Sequence, residues 1–134
     1  MAPVKVLDAF AVLVFFYSEP GADIVQNLIE KAGESKVNLL ISVINAGEVW
    51  YRISRGNSPE VADQSLQELQ AIGIEIVEAD WSLTRQAAAF KAVGNISYAD
   101  CFAAALAKVR NCPVVTGDKE FAQLENEIKI EWLK

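Results

Sequence analysis

The stretch Val4-Lys5-Val6-Leu7-Asp8-Ala9-Phe10-Ala11-Val12-Leu13-Val14-Phe15-Phe16-Tyr17 sets the fold class of this chain. Val4 to Leu7 is a short β-branched and apolar run that ends at Asp8, and the apolar residues from Ala9 continue unbroken to a stop at Ser18-Glu19-Pro20. The first run reads as a buried strand and the second as a helix, with an acid at the turn between them. Ala9 to Tyr17 is too short to cross a bilayer and follows no basic stretch, so the expectation is a cytoplasmic protein without a membrane anchor.

Working outward, the same strand-then-helix order recurs. Gly21 to Ala32 carries Ile24, Val25, Leu28 and Ile29 at helical spacing, with Gly33 as the expected stop. Leu39 to Ser42 reads as a buried strand. Val43 to Arg55 gathers Ala46, Val49, Trp50 and Ile53 on one helical face before Gly56-Asn57. Ser58-Pro59-Glu60 opens another helix to about Ile72, with Gly73 as its C-terminal signal. Ile74 to Val77 is the third strand, Trp81 to Val93 the next helix, and Ser97 starts an alanine-rich helix to about Val109. Pro113 to Thr116 and Ile128 to Trp132 are the last two strands, the final one alternating apolar and charged residues as an edge strand does.

Five short strands alternating with helices predict a three-layer α/β/α domain with a parallel, roughly five-stranded sheet. The length of 134 residues and the 52% hydrophobic content suit one domain spanning residues 1–134. In such a sheet the strand C-termini share one edge, so Asp8, Glu48, Asp100 and Asp118 are expected to converge in one crevice. Each acid also has a plain structural role. Asp8 and Asp118 can cap helices, a role worth about 0.5–2 kcal/mol. Ser97-Tyr98-Ala99-Asp100 has the form of a capping box, and Glu48 stands four residues before Arg52, a helix pair worth about 0.2–0.5 kcal/mol. Capping does not require that all four share one edge. Carboxylates packed together raise one another's pKa unless a cation neutralises them, and oxygen ligands without His or Cys select hard ions, Mg2+ or Mn2+.

Composition narrows the chemistry further. The chain has no histidine, which removes His-based acid/base catalysis, Ser-His-Asp and Cys-His systems and histidine-dependent zinc sites. Cys101 and Cys112 do not form a CxxC unit and read as buried, reduced thiols. The formal net charge of −6 argues against a non-specific nucleic-acid binder but is compatible with a metal-dependent nuclease.

Two helices bear on the site. Around Asp100, Tyr98, Phe102, Leu106 and Val109 form a bulky stripe, and Ala103, Ala104 and Ala107 lie opposite with the acid; small residues there would let a neighbouring backbone approach. The alternative is a helix packed on both faces. Glu48 shares its face with Tyr51, Arg52 and Arg55; either Glu48 turns to a metal while Arg52 or Arg55 meets a substrate phosphate, or these are a solvated charged face, the reading favoured for Arg55. Trp50 and Trp81 read as core or dimer residues before base-stacking platforms.

With these residues placed, the chain resembles the PIN-domain family, and within it the VapC-type toxin ribonucleases of prokaryotic toxin–antitoxin pairs. The resemblance is carried by Val6-Leu7-Asp8-Ala9, Ile41-Ser42-Val43-Ile44-Asn45-Ala46-Gly47-Glu48, Ser97-Tyr98-Ala99-Asp100-Cys101-Phe102-Ala103-Ala104-Ala105 and Val114-Val115-Thr116-Gly117-Asp118-Lys119-Glu120-Phe121. It implies an acidic quartet of Asp8, Glu48, Asp100 and Asp118 around one or two Mg2+ or Mn2+ ions, and RNA hydrolysis by a metal-activated water. It also implies that Thr116 orients the last acid or a water, and that Asn45 supports the glutamate or the substrate. A homodimer and a VapB-like antitoxin are the partners it implies. The rivals are a receiver-like signalling domain and an inactive PIN-like scaffold that binds partners. A receiver would want an acid pair after the first strand and a phospho-accepting Asp at the end of the third. Here Asp8 stands alone, and strand three leads into Glu78-Ala79-Asp80.

Overall fold

The computed structural model describes residues 2–133. The elements run β1 (Val4–Leu7), α1 (Ala9–Phe16), α2 (Ala22–Gly33), β2 (Asn38–Ser42), α3 (Val43–Gly56), α4 (Pro59–Ala71), β3 (Ile74–Val77), α5 (Trp81–Val93), α6 (Tyr98–Val109), β4 (Val114–Thr116), a short 3-10 helix (Lys119–Leu124) and β5 (Ile130–Trp132). All four strand pairings are parallel, in the order β3-β2-β1-β4-β5. Helices cover both faces of the sheet, as the strand-helix alternation predicts.

The period of two along the strands divides the core. Val6, Leu40 and Val114 face a cluster with α5 and α6, whereas Leu7, Leu39, Ile41 and Val115 face a cluster with α1, α2, α3 and α4. The central strands are buried on both faces where they cross the core, which is why Val6-Leu7, Leu39-Leu40-Ile41 and Val114-Val115 are apolar at successive positions. β5 is an edge strand, as its alternation indicates.

The strand order decides where a ligand can sit. From β1 the chain builds outward through β2 to β3, then returns to place β4 on the other flank of β1. The order therefore reverses between β1 and β4, and a crevice opens beyond their C-terminal ends. A receiver-like domain requires the order 2-1-3-4-5, so this topology rules that rival out.

Some boundaries differ from the sequence reading. Gly33 and Gly56 are the last residues of their helices, and Glu34 and Asn57 follow as caps. Gly73 does close α4, with a positive φ of 98°. Ile128 lies outside β5 because its N–H bonds to Leu124 O, closing the preceding turn. α6 is buried all round from Asp100 to Ala107, which matches the alternative of a helix packed on both faces. Phe102 and Leu106 are in the core with the alanines, but Tyr98 and Val109 are exposed, so the bulky stripe is not one continuous face.

Candidate active site

Asp8 is the residue after β1 and the N-cap of α1. Its Oδ1 accepts from Ala11 N at 2.9 Å, and its Oδ2 accepts from Thr116 Oγ1 at the end of β4. Thr116 Oγ1 in turn accepts from Asp118 N at 2.9 Å. One hydroxyl thus links the acids after β1 and β4 across the switch point. Asp118 also caps the 3-10 helix, accepting from Glu120 N at 3.0 Å.

Asp100 sits in the first turn of α6, where Ser97 Oγ accepts from its N–H at 3.2 Å. The expected capping box is only half formed. Ser97 N donates to Glu120 Oε1 at 3.3 Å, and not to Asp100, so the Asp100 carboxylate is free to face Asp118. Carboxylate oxygens of Asp100, Asp118 and Glu120 lie within 4.8 Å of one another. Glu120 was not among the residues singled out from sequence, although its place two residues after Asp118 in Gly117-Asp118-Lys119-Glu120 is the signal that could have found it.

Glu48 enters from α3. Its Oε2 pairs with Arg52 at 3.2 Å, and its Oε1 is buried without a hydrogen-bond partner among the described residues. Glu48, Asp100, Asp118 and Glu120 line one cavity of about 300 Å³, with Phe10 and Arg52 on its wall. Asp8 is fully buried behind this cavity and reaches it through the Thr116 link.

Of the two roles expected of Asn45, support of the glutamate or contact with the substrate, its geometry suits the first. It is fully buried, its Oδ1 accepting from Ser42 Oγ at 2.6 Å and its Nδ2 donating to Ala99 O at 2.9 Å. With both ends of the amide engaged, it ties the start of α3 to the start of α6 and does not present itself to a substrate. It thereby holds the two helices that carry Glu48 and Asp100.

Burial and mutual repulsion shape the electrostatics. Burial pushes the Asp8 carboxyl up from 3.8 to about 7, against the lowering effect of its Thr116 and Ala11 bonds and with added repulsion from Asp118 and Glu48. Burial likewise lifts Asp100 to about 8, reinforced by the adjacent Asp118 carboxylate and by Asp8, while Ser97 pulls the other way. Without a cation the cluster holds protons near neutrality. Both thiols are buried and free, and burial raises Cys101 to about 11, which fits inert core residues.

Several basic and aromatic side chains lie away from the cavity. Lys91 donates to Ile96 O and Lys108 pairs with Glu127. Trp50 donates to Asp63 Oδ1 at the surface between α3 and α4, and Trp81 is 73% exposed, so it is not a core residue.

Residues 5–127 match the PIN domain family profile. The chain belongs to the PIN-domain family. This PIN domain is similar in fold to VapBC2 from Rickettsia felis bound to a promoter DNA fragment, at 21% identity and a TM-score of 0.77, covering 96% of this chain and 97% of that one. It is similar to DNA-bound VapBC from Salmonella typhimurium, at 19% identity and a TM-score of 0.76 over 100% of both chains. It is also similar to the Mycobacterium tuberculosis sarcin-ricin loop cleaving toxin VapC20, at 14% identity and a TM-score of 0.70, covering 89% and 93%. No curated protein matches it. Among the described residues no helix is long and apolar enough to cross a membrane.

Proposed function

We propose that this PIN domain is a divalent-metal-dependent endoribonuclease, the toxin of a VapBC-type toxin–antitoxin pair, acting as one domain across residues 1–134. The observation that carries the reading is the convergence of Glu48, Asp100, Asp118 and Glu120 from three separate segments on one crevice, with Asp8 buried behind it and Glu48 Oε1 buried at its wall without a partner among the described residues. A buried carboxylate oxygen without a donor is costly, and a cation is the partner that would satisfy it.

The donor set fits Mg2+ or Mn2+. Every candidate ligand is an oxygen, with no His and no accessible thiol nearby. Asp100, Asp118, Glu48 and Glu120 would hold the ion at the cavity, with Asp8 completing the set from behind through Thr116. When bound, the ion supplies charge neutralisation and an activated water for attack on phosphorus.

The rest is the work of the chain. Thr116 fixes the Asp8 carboxylate and the Asp118 backbone relative to each other. Asn45 holds α3 against α6. The Arg52 guanidinium has five donors and uses one end on Glu48, so it can meet a substrate phosphate without leaving the site. The similarity in fold to toxin–antitoxin complexes, including one from Klebsiella pneumoniae, supports a VapB-like antitoxin as partner. A homodimer and a cytoplasmic location rest on the family resemblance.

The test is incubation of a mixed RNA pool with purified protein, with Mn2+ and with EDTA. Cleavage only with the metal supports the reading. A folded protein that binds no Mn2+ and cuts nothing would instead be an inactive PIN-like scaffold.

A further inference from the structure

A second groove of about 410 Å³ continues from the acid cavity, sharing Leu13, Glu19 and Arg52 with it and extending past Tyr17, Tyr51 and Arg55. Its walls come from the end of α1 and the outer face of α3. Tyr17 caps α1, and its hydroxyl lies 3.8 Å from where a Cβ on Gly56 would stand, which places the ring against the end of α3. The Arg55 guanidinium lies 4.9 Å from the centre of the Tyr51 ring. Tyr17 and Tyr51 remain 45% and 42% exposed despite these neighbours.

This combination is unusual for a surface that carries a net charge of −6. Arg52 and Arg55 stand one helical turn apart beside two aromatic faces. Arg52 shares its guanidinium with Glu48, and Lys5, Lys36 and Lys108 are each paired with a glutamate, whereas Arg55 has no such carboxylate partner among the described residues. Cations that track a backbone, next to rings on which bases stack, are what single-stranded RNA requires.

We infer that the Tyr17–Tyr51–Arg55 groove holds the single-stranded nucleotides flanking the scissile phosphate. A base stacks on Tyr51 or Tyr17, and Arg55 contacts a phosphate one or two nucleotides from the acids. This deepens the ribonuclease reading and rests on it for the direction of the strand. It revises the plain surface role expected for Arg55 from sequence.

The test is fluorescence anisotropy of a fluorescein-labelled, mixed-sequence 12-nucleotide RNA, with Ca2+ present and a gel to verify that the RNA stays intact. Wild type, Tyr51→Ala, Tyr17→Leu and Arg55→Ala are compared, and circular dichroism checks that each is folded. Tyr51→Ala and Arg55→Ala should each weaken binding roughly tenfold, and Arg55→Ala should lower the salt slope by about 1. Tyr17→Leu separates loss of a stacking face from loss of bulk and should also weaken binding. Unchanged RNA affinity in the Tyr51 and Arg55 variants overturns the inference, as does a wild type that binds no RNA. If those variants lose a poly-glutamate peptide but keep RNA, the groove serves an acidic protein partner and the inference also fails. RNA bound through the groove by a wild type that cuts nothing with Mn2+ would sink the nuclease reading while leaving the groove in place.

Discussion

Thr116 Oγ1 donates to Asp8 Oδ2 and accepts from Asp118 N, so one buried hydroxyl joins the acids of β1 and β4 where the strand order reverses. Thr116→Val keeps the shape and removes both bonds. Asp8 then loses a bond that lowers its pKa, and the Asp118 N–H loses its acceptor. The expected results are a stability cost of about 1–3 kcal/mol and Mn2+ affinity reduced roughly 10–100-fold, while Thr116→Ser retains most of both. Calorimetric titration with Mn2+ and thermal denaturation check this.

Protonation of the cluster gives a second prediction. The folded, metal-free protein holds protons on Asp8 and Asp100 up to about pH 7 and 8, whereas an unfolded Asp releases its proton near 3.9. Because the folded pKa values are raised, their contribution to stability is fully present below about pH 4 and is lost as pH rises through 7 to 8. Metal-free protein should therefore melt at lower temperature at pH 8.5 than at pH 6. Mn2+ should bind more tightly as pH rises over the same window, with proton release visible as a dependence of binding heat on buffer. Asp8→Asn should raise the metal-free melting temperature at pH 8, on the order of 3–8 °C.

A Cβ added at Gly117 would collide with Phe10 Cε1, so the Phe10 ring rests directly on the Gly117 backbone at the cavity mouth. Gly117→Ala should displace that ring at a cost of about 1–3 kcal/mol and slow RNA cleavage. In Phe10→Ala the same Gly117→Ala change should cost much less, and a double-mutant cycle on melting midpoints measures the difference.

Glu120 separates the observed acid cluster from the one read in sequence. Glu120→Gln keeps an oxygen for the Ser97 N–H and removes one charge from the trio with Asp100 and Asp118. Mn2+ affinity should fall, though less than in Asp100→Asn. Affinity equal to wild type would place Glu120 outside the ligand set.

The sheet and four of the acids were legible because the signals are local. Apolar runs such as Val4–Leu7 and Leu39–Ile41 end at polar residues, Asp8 and Ser42, that also cap helices, and parallel topology sends those ends to one edge. The strand order itself is a long-range property, and no single segment carries it. Glu120 was missed because its position depends on a 3-10 turn that points it back to Ser97. For Asn45 both support of the glutamate and contact with the substrate stood open, because residue type alone does not distinguish a polar side chain aimed at the crevice from one buried between two helices. The uniform burial of α6 similarly follows from its place between α5, α3 and the sheet, which its own spacing does not reveal.

The measurement that bears most directly on the central claim is the cleavage rate of a labelled RNA pool by wild type and by Asp100→Asn, each with Mn2+ and with EDTA. The variant should fold as wild type does, since Ser97 still caps α6 through the residue 100 backbone N–H. Its cleavage should fall to the level of the EDTA control. Cleavage by Asp100→Asn at the wild-type rate, or by wild type in EDTA, would contradict the assignment of this acidic crevice as a metal-dependent ribonuclease site.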